Sequence, residues 1–552
     1  MRSSYFFGKK AAINNVRAPK STQHDPNPLY CDHAPTTVWV TGLPAATTYP
    51  GFMHHTPVVR SLVRSTAMAT SFRPATDHHP ADAYLRGPYA PVHSEVTIAD
   101  LDVLAGEIPH DLDGLFVRNG SNPVFEPPGR YHWFDGDGMV HGVHFGGGSA
   151  SYRNRWVRTA GLDADLNAGR ARLAGILEQP DFSVPGGPFK DTGNTDVVTH
   201  AGRLFALWWL SGAAHELDPV TLDTLGVCDF GGTLNVTMNA HPKVDPGTGE
   251  MVFTSYSMLP PYLHMGVVGP DGTVTHLEAI DLPGPRLQHD LAITPRYTVL
   301  LDMSMMFDPE QLAHGRTKVR FFRDLPSRIG VVPRHGTSDD VRWFEVEPFF
   351  MYHVVNAHED GDEVVLHGCR MADPLVGDPD NVVTAIAASR AIPQLGHLRL
   401  EPVLWQWRCN LVTGAVTEGP VDDTVSEFPR INDRFMGLDT SFSYSPTFAD
   451  RTTLAFDGVV RHDLASGATT THHYDHGWLG NEAVFAPSSD PRRTGESDGY
   501  LVTFVTHEDT GASEVHVFDP SNLAAGPVTR LGIPVRVPLG YHTEWVPAGS
   551  AR

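Results

Sequence analysis

The chain has few cysteines: Cys31, Cys228, Cys369 and Cys409 are scattered through 552 residues, and no two form a C-x-x-C pair. A disulfide framework and a cysteine-based zinc module are therefore excluded, and the pattern fits reduced, buried thiols in the cytosol. Positive charge is also scarce. Lys and Arg number 41 against 64 Asp and Glu, for a net charge of −23. Nucleic-acid binding depends on Lys and Arg neutralising phosphates, so no nucleic-acid partner is expected. No apolar run approaches the roughly 18 to 20 residues that cross a bilayer, and no compact apolar segment follows the first basic residues as in a secretory signal. A cytoplasmic protein is expected, in which any membrane contact is peripheral. Chemistry carried by side chains alone is hard to find as well. No Ser-His-Asp or paired-carboxylate constellation stands out, and Phe134-Asp135-Gly136-Asp137-Gly138 lacks the strand-to-helix setting and the Lys/Ser ending of a phosphate loop. It reads as a tight turn.

What remains is a large apolar core in an acidic chain. Hydrophobic residues make up 41% of the sequence, enough for one extended domain or two to three smaller ones. The first stretch differs in kind. Up to residue 67 it carries Arg2, Lys9, Lys10, Arg17, Lys20, Arg60 and Arg64 against only Asp25 and Asp32, with no sustained periodicity. Residues 1–83 are expected to be a disordered leader, or the product of a start placed too early with Met68 the alternative. Residues 84–552 are expected to form the folded domain.

From Tyr84 onward, short β-patterned runs such as Arg203–Leu210, Tyr297–Leu301 and Asp362–Leu366 alternate with turn signals. These include Asp245-Pro246-Gly247-Thr248-Gly249, Pro270-Asp271-Gly272-Thr273, Thr413-Gly414 and Ser466-Gly467, where Pro, Asp and Gly supply the dihedral angles that tight turns need. Helical periodicity is confined to Leu166–Leu177 and Val382–Ile392. The chain therefore reads as all-β with short helical insertions. A β-propeller satisfies this pattern with few exposed edges and brings distant strands to one axis.

Histidine is abundant, with 30 in all. Four of them, His241, His289, His353 and His542, each stand at a strand or its boundary, separated by 48, 64 and 189 residues. These gaps are too long for a zinc finger or a helical ligand pair, so only a fold that returns to one point could join them. Imidazole suits iron, copper, nickel or zinc. Spacing alone leaves open whether the four share a metal or are separately buried.

The residues also carry a resemblance. Gly114–Pro123, Tyr131–His141, Tyr152–Arg158, Asn194-Thr195, Ala240-His241-Pro242, Tyr352–Ala357, Glu427–Asn432 and Pro538–His542 occur in an order that resembles the carotenoid cleavage oxygenases over about residues 84 to 547. That family includes the apocarotenoid and lignostilbene dioxygenases and the retinal pigment epithelial membrane protein. The resemblance implies a seven-bladed β-propeller with short helical insertions covering its top face. It implies one Fe(2+) per chain, ligated by His241, His289, His353 and His542. Family members use O2 to split a carbon–carbon double bond of a carotenoid, apocarotenoid or stilbene into two carbonyl products. An apolar polyene and O2 are thus the expected partners, with peripheral membrane contact for substrate uptake.

Carboxylates usually accept the outer ring N–H of metal-bound histidines. By resemblance two of the family's three are Glu427 and Glu482. Where the third belongs, this chain has Trp209, and an indole N–H donates but does not accept. One ligand histidine must then find another partner. The resemblance also puts Thr195 near an open coordination position, Trp208 where stilbene-cleaving relatives carry a substrate-binding lysine, and Phe134 near the substrate. An indole at 208 favours a polyene over a phenolate. A stilbene- or phenylpropenoid-cleaving enzyme, or a propeller that binds a lipid or partner without turnover, are the alternative readings.

Overall fold

The computed structural model describes residues 80–550 except 182, 186, 309, 311–318, 376–390, 393–394 and 396–397. Most of the expected leader thus lies outside the described residues. Its last few positions open the 3-10 turn Pro80–Leu85, which leads Tyr84 and Tyr89 into the core against Trp133.

The described elements are almost all strands. Four-stranded antiparallel meanders recur: Asp196–His200 to Thr224–Cys228, Lys243–Val244 to Val274–Ile280, and Phe350–Asp360 to Val416–Val425. Glycine turns drive the hairpins, because only glycine enters the left-handed region without cost. Gly249 (φ 73°), Gly414 (φ 79°) and Gly467 (φ 70°) each close a turn anticipated from sequence. The ring is closed by chain ends. Strand Gly114–Arg118 pairs with the C-terminal strand Thr543–Pro547, with Arg118 opposite Thr543, and Asp102–Gly106 pairs with Thr529–Ile533. This closure carries His542, at the foot of the last strand, back beside elements from the start of the domain.

Helix is scarce, as expected, but its position differs from the sequence reading. An α-helix runs over Ala160–Ala168, and only the first residues of Leu166–Leu177 are helical. Thr159 accepts a hydrogen bond from Leu162 N at its start, and Gly169 at φ 66° ends it in a left-handed cap. The cap overrides the periodicity that follows. Of Val382–Ile392, residues 382–390 lie outside the described residues, and Ala391–Ile392 is a strand. No described helix is long and apolar enough to cross a membrane. Cys228, Cys369 and Cys409 are buried free thiols, while Cys31 lies outside the described residues.

Candidate metal centre

The four histidines come from four segments and meet. Their potential ligand atoms lie within 4.8 Å of one another and all four residues are buried. His289 Nε2 stands 3.2 Å from His241 Nε2 and 3.2 Å from His353 Nε2. Local backbone geometry aims them. His353 sits at a bulge in strand Phe350–Asp360, where the register with Glu363–Met371 shifts, and bulges re-aim side chains. His241 takes a left-handed φ of 64°, a conformation that a non-glycine residue keeps only when its surroundings impose it.

Those surroundings include a carboxylate invisible to the sequence reading. Asp196 Oδ2 lies 2.9 Å from His241 Nδ1 and accepts His241 N at 3.1 Å. Glu427, anticipated from sequence, contacts His353 Nδ1 and also accepts Phe428 N. Glu482, likewise anticipated, has Oε1 3.1 Å from His542 Nδ1, and its other oxygen accepts from Thr543 N and Oγ1. Three of four imidazoles therefore have a carboxylate on the outer nitrogen. His289 has none among the described residues. The signal for Asp196 was slight, a carboxylate directly after Asn194-Thr195 at the start of a strand.

A carboxylate on Nδ1 holds the proton there and leaves Nε2 as a lone pair. His241, His353 and His542 thus direct lone pairs at one point, an arrangement that repels itself unless a cation lies between them. Burial favours the neutral rings. It holds His542 down to about 4, and it holds His241, His289 and His353 well below their ordinary value, helped by the neighbouring imidazoles. Burial also pushes Glu427 up to about 8 and, against the opposing pull of Arg430, Glu482 up to about 7, so both stay ionised at neutral pH only with a cation nearby, which is the same requirement that the converging lone pairs impose. The donor set fits a borderline transition-metal cation that keeps its charge, because four imidazoles supply none.

The two sides of the cluster differ in chemistry. On one side a cavity of about 530 Å³ is walled by Phe134, Trp209, Leu398, Phe428, Leu454 and Tyr541 among others. Thr195 also lines it, and its hydroxyl is spent in the wall, donating to Asn194 Oδ1 at 2.9 Å and accepting Trp209 N at 3.1 Å. Tyr352, which no sequence argument singled out, also lines this cavity. On the other side a polar cavity of about 770 Å³ is bordered by Lys243, Asp290, Arg430 and Glu544. Of the residues expected beside the substrate, Phe134, Thr195 and Trp209 border the apolar cavity. Trp208 does not: it follows the end of strand Arg203–Leu207 and faces a separate pocket.

The model of the family named for the retinal pigment epithelial membrane protein matches residues 89–547. A carotenoid 9,10(9',10')-cleavage dioxygenase 1 of Phaseolus vulgaris is 34% identical over 506 residues, covering 85% of this chain and 89% of the relative. A carotenoid cleavage oxygenase of Mycobacterium tuberculosis is 35% identical, covering 84% and 97%. Among solved structures, a lignostilbene dioxygenase of Pseudomonas brassicacearum superposes with a TM-score of 0.74 at 29% identity, covering 84% of this chain and 98% of that one. A buried four-histidine cluster within a β-propeller, together with a family match that runs over most of the chain, shows that this protein belongs to the retinal pigment epithelial membrane protein family.

Proposed function

We propose that this chain is an Fe(II)-dependent dioxygenase that cleaves a carbon–carbon double bond of a carotenoid or apocarotenoid. Both atoms of O2 are used, one on each carbon of the broken bond, giving two carbonyl products. The observation that carries the reading is a buried, uncharged four-imidazole cluster opening onto an apolar cavity. Similarity to carotenoid-cleaving relatives supports the substrate class.

His241, His289, His353 and His542 would hold the iron, which when bound supplies the activation of O2. The rest of the site positions and excludes. Asp196, Glu427 and Glu482 fix the ring orientations of three ligands. The Thr195 methyl narrows the approach to an open coordination position. Phe134, Trp209, Phe428 and Tyr541 hold a conjugated chain in a dry space, where a reactive intermediate is protected from water. No general acid or base is needed, in keeping with a cavity whose polar groups are few.

The arrangement of sheets supports seven blades. Beside the five-stranded sheet and four sheets of four strands, the nine-stranded sheet divides naturally into two. We place the enzyme in the cytoplasm with peripheral membrane contact, because its apolar substrate partitions into lipid.

Metal analysis combined with a cleavage panel tests the reading. Protein reconstituted with Fe(II) should carry about one iron per chain and convert a carotenoid or an apocarotenal into carbonyl products under O2. Full iron occupancy with no cleavage of any panel member would refute it.

A further inference from the structure

The pocket that Trp208 faces lies directly behind the apolar cavity. It has a volume of about 600 Å³ and reaches the surface near Pro128 and Arg130, both exposed. Among the described residues only Phe134 and Trp209 border both spaces. Their rings meet edge to face, with centroids 5.6 Å apart and planes at 66°, so two aromatic side chains form the partition. Both are braced. Phe134 packs edge-on against Tyr541 at 5.4 Å. The backbone of Trp209 is held at N by Thr195 and at its carbonyl by the Tyr256 hydroxyl, 3.1 Å away.

The space behind the partition differs from the metal cavity. Lys190 lines it, half-buried and paired with Asp137 at 2.5 Å and Asp165 at 2.8 Å. The Trp208 Nε1–H is buried without an acceptor among the described residues. An apolar chain that broke through the wall would bring its end against these groups.

We infer that Trp209, with Phe134, sets the length of substrate arm that this enzyme accepts. The inference rests on the polyene-cleaving reading above. With the wall intact, the entering end of the polyene stops against the indole at the end of the apolar cavity. The stop fixes how many bonds separate the entering end from the metal. Trp209 is in this sense a specificity-determining residue. It selects apocarotenoids with a short arm on its side of the scissile bond, and its bulk occupies a position where the family carries a glutamate.

The test uses apocarotenals of increasing chain length with wild type, Trp209→Ala, Trp209→Leu and Phe134→Ala, all iron-loaded and checked for folding by thermal melting. Thinning the wall from either side should let the chain slide deeper. Mass spectrometry of the products should then show cleavage moved at least one conjugated double bond further from the entering end. The ratio of kcat/KM for long over short substrates should rise about tenfold, the scale on which apolar pockets discriminate length. Equilibrium binding of the same series to metal-free protein should shift toward longer members in the variants. Unchanged cleavage position, length ratio and binding profile in the folded variants would overturn the inference. If wild type cleaves nothing, the functional reading fails, and the binding profile still reports on the wall. If Trp209→Ala does not fold, Trp209→Leu and Phe134→Ala decide the outcome.

Discussion

A single carboxylate oxygen, Oδ2 of Asp196, holds both the ring and the backbone of His241, at 2.9 Å from Nδ1 and 3.1 Å from N. The two residues are 45 positions apart, and the contact accounts for a histidine kept at φ 64°. It also keeps the number of ligand-orienting carboxylates at three although Trp209 replaces the expected glutamate.

Asp196→Asn removes the charge while retaining an acceptor, and Asp196→Ala removes both. Metal affinity, measured by competition with a chelator, should fall in the order wild type, Asn, Ala. Loss of an outer-shell partner is typically worth about 10- to 100-fold. Equal affinity in all three proteins would show that Asp196 does not orient His241.

Each of His241→Ala, His289→Ala, His353→Ala and His542→Ala should abolish most bound iron while circular dichroism stays that of a folded β protein. His289→Ala is the most telling, because His289 lacks a carboxylate partner. A variant that keeps full iron and turnover is not missing a ligand.

Thr195 separates two effects. Thr195→Ser keeps the hydroxyl bonds to Asn194 and Trp209 and deletes only the methyl, so stability should be nearly unchanged while the KM for O2 shifts. Thr195→Val keeps the branched shape but leaves Trp209 N without its acceptor, and should cost about 1 to 3 kcal/mol of stability. If the serine variant has wild-type O2 dependence, the methyl does not guard the open position.

Glu514 gives an acid-stability test away from the metal. Its strand, Ser513–Phe518, links Gly499–His507 to Thr529–Ile533. Burial alone would raise its carboxyl, but hydrogen bonds from His516 and Arg530 outweigh that and bring it down to about 2. A folded value below the ordinary 4.5 means stability that is present above 4.5 and lost as pH falls toward 2. Glu514→Gln should lower the Tm at neutral pH, and the gap from wild type should narrow between about pH 4.5 and 2. A gap independent of pH would assign the loss to packing.

Much of the fold was legible in local pattern. The hairpin turns at Gly249, Gly414 and Gly467 fall where Asp, Thr and Gly signalled them, because a positive φ is a property of the few residues in the turn. Glu427 and Glu482 were legible only through motif context. Asp196 was not, because a carboxylate at a strand start looks the same whether it faces water or a histidine. The helix expected over Leu166–Leu177 failed because a cap at Gly169 outweighs periodicity beyond it. Trp208 was expected beside the substrate, but the chain turns at the end of strand Arg203–Leu207, and of the two adjacent indoles only Trp209 faces the metal cavity.

The sequence by itself determined that the chain alternates strands and turns and that it is acidic, since residue types and their spacing carry that information directly, whereas the four histidines stood out from 30 only through the resemblance of their motifs. Tertiary structure alone decided what surrounds them. Pairing of Gly114–Arg118 with Thr543–Pro547 brings His542 to the other three histidines, and the meeting of separate segments gives His241 its carboxylate and, among the described residues, leaves His289 without one. It also sets two rings, Phe134 and Trp209, as the wall between two cavities. Contacts of this kind depend on where distant strands converge once the ring closes. Local periodicity holds no record of that convergence, because period-2 alternation fixes which face a side chain takes and not what it meets there.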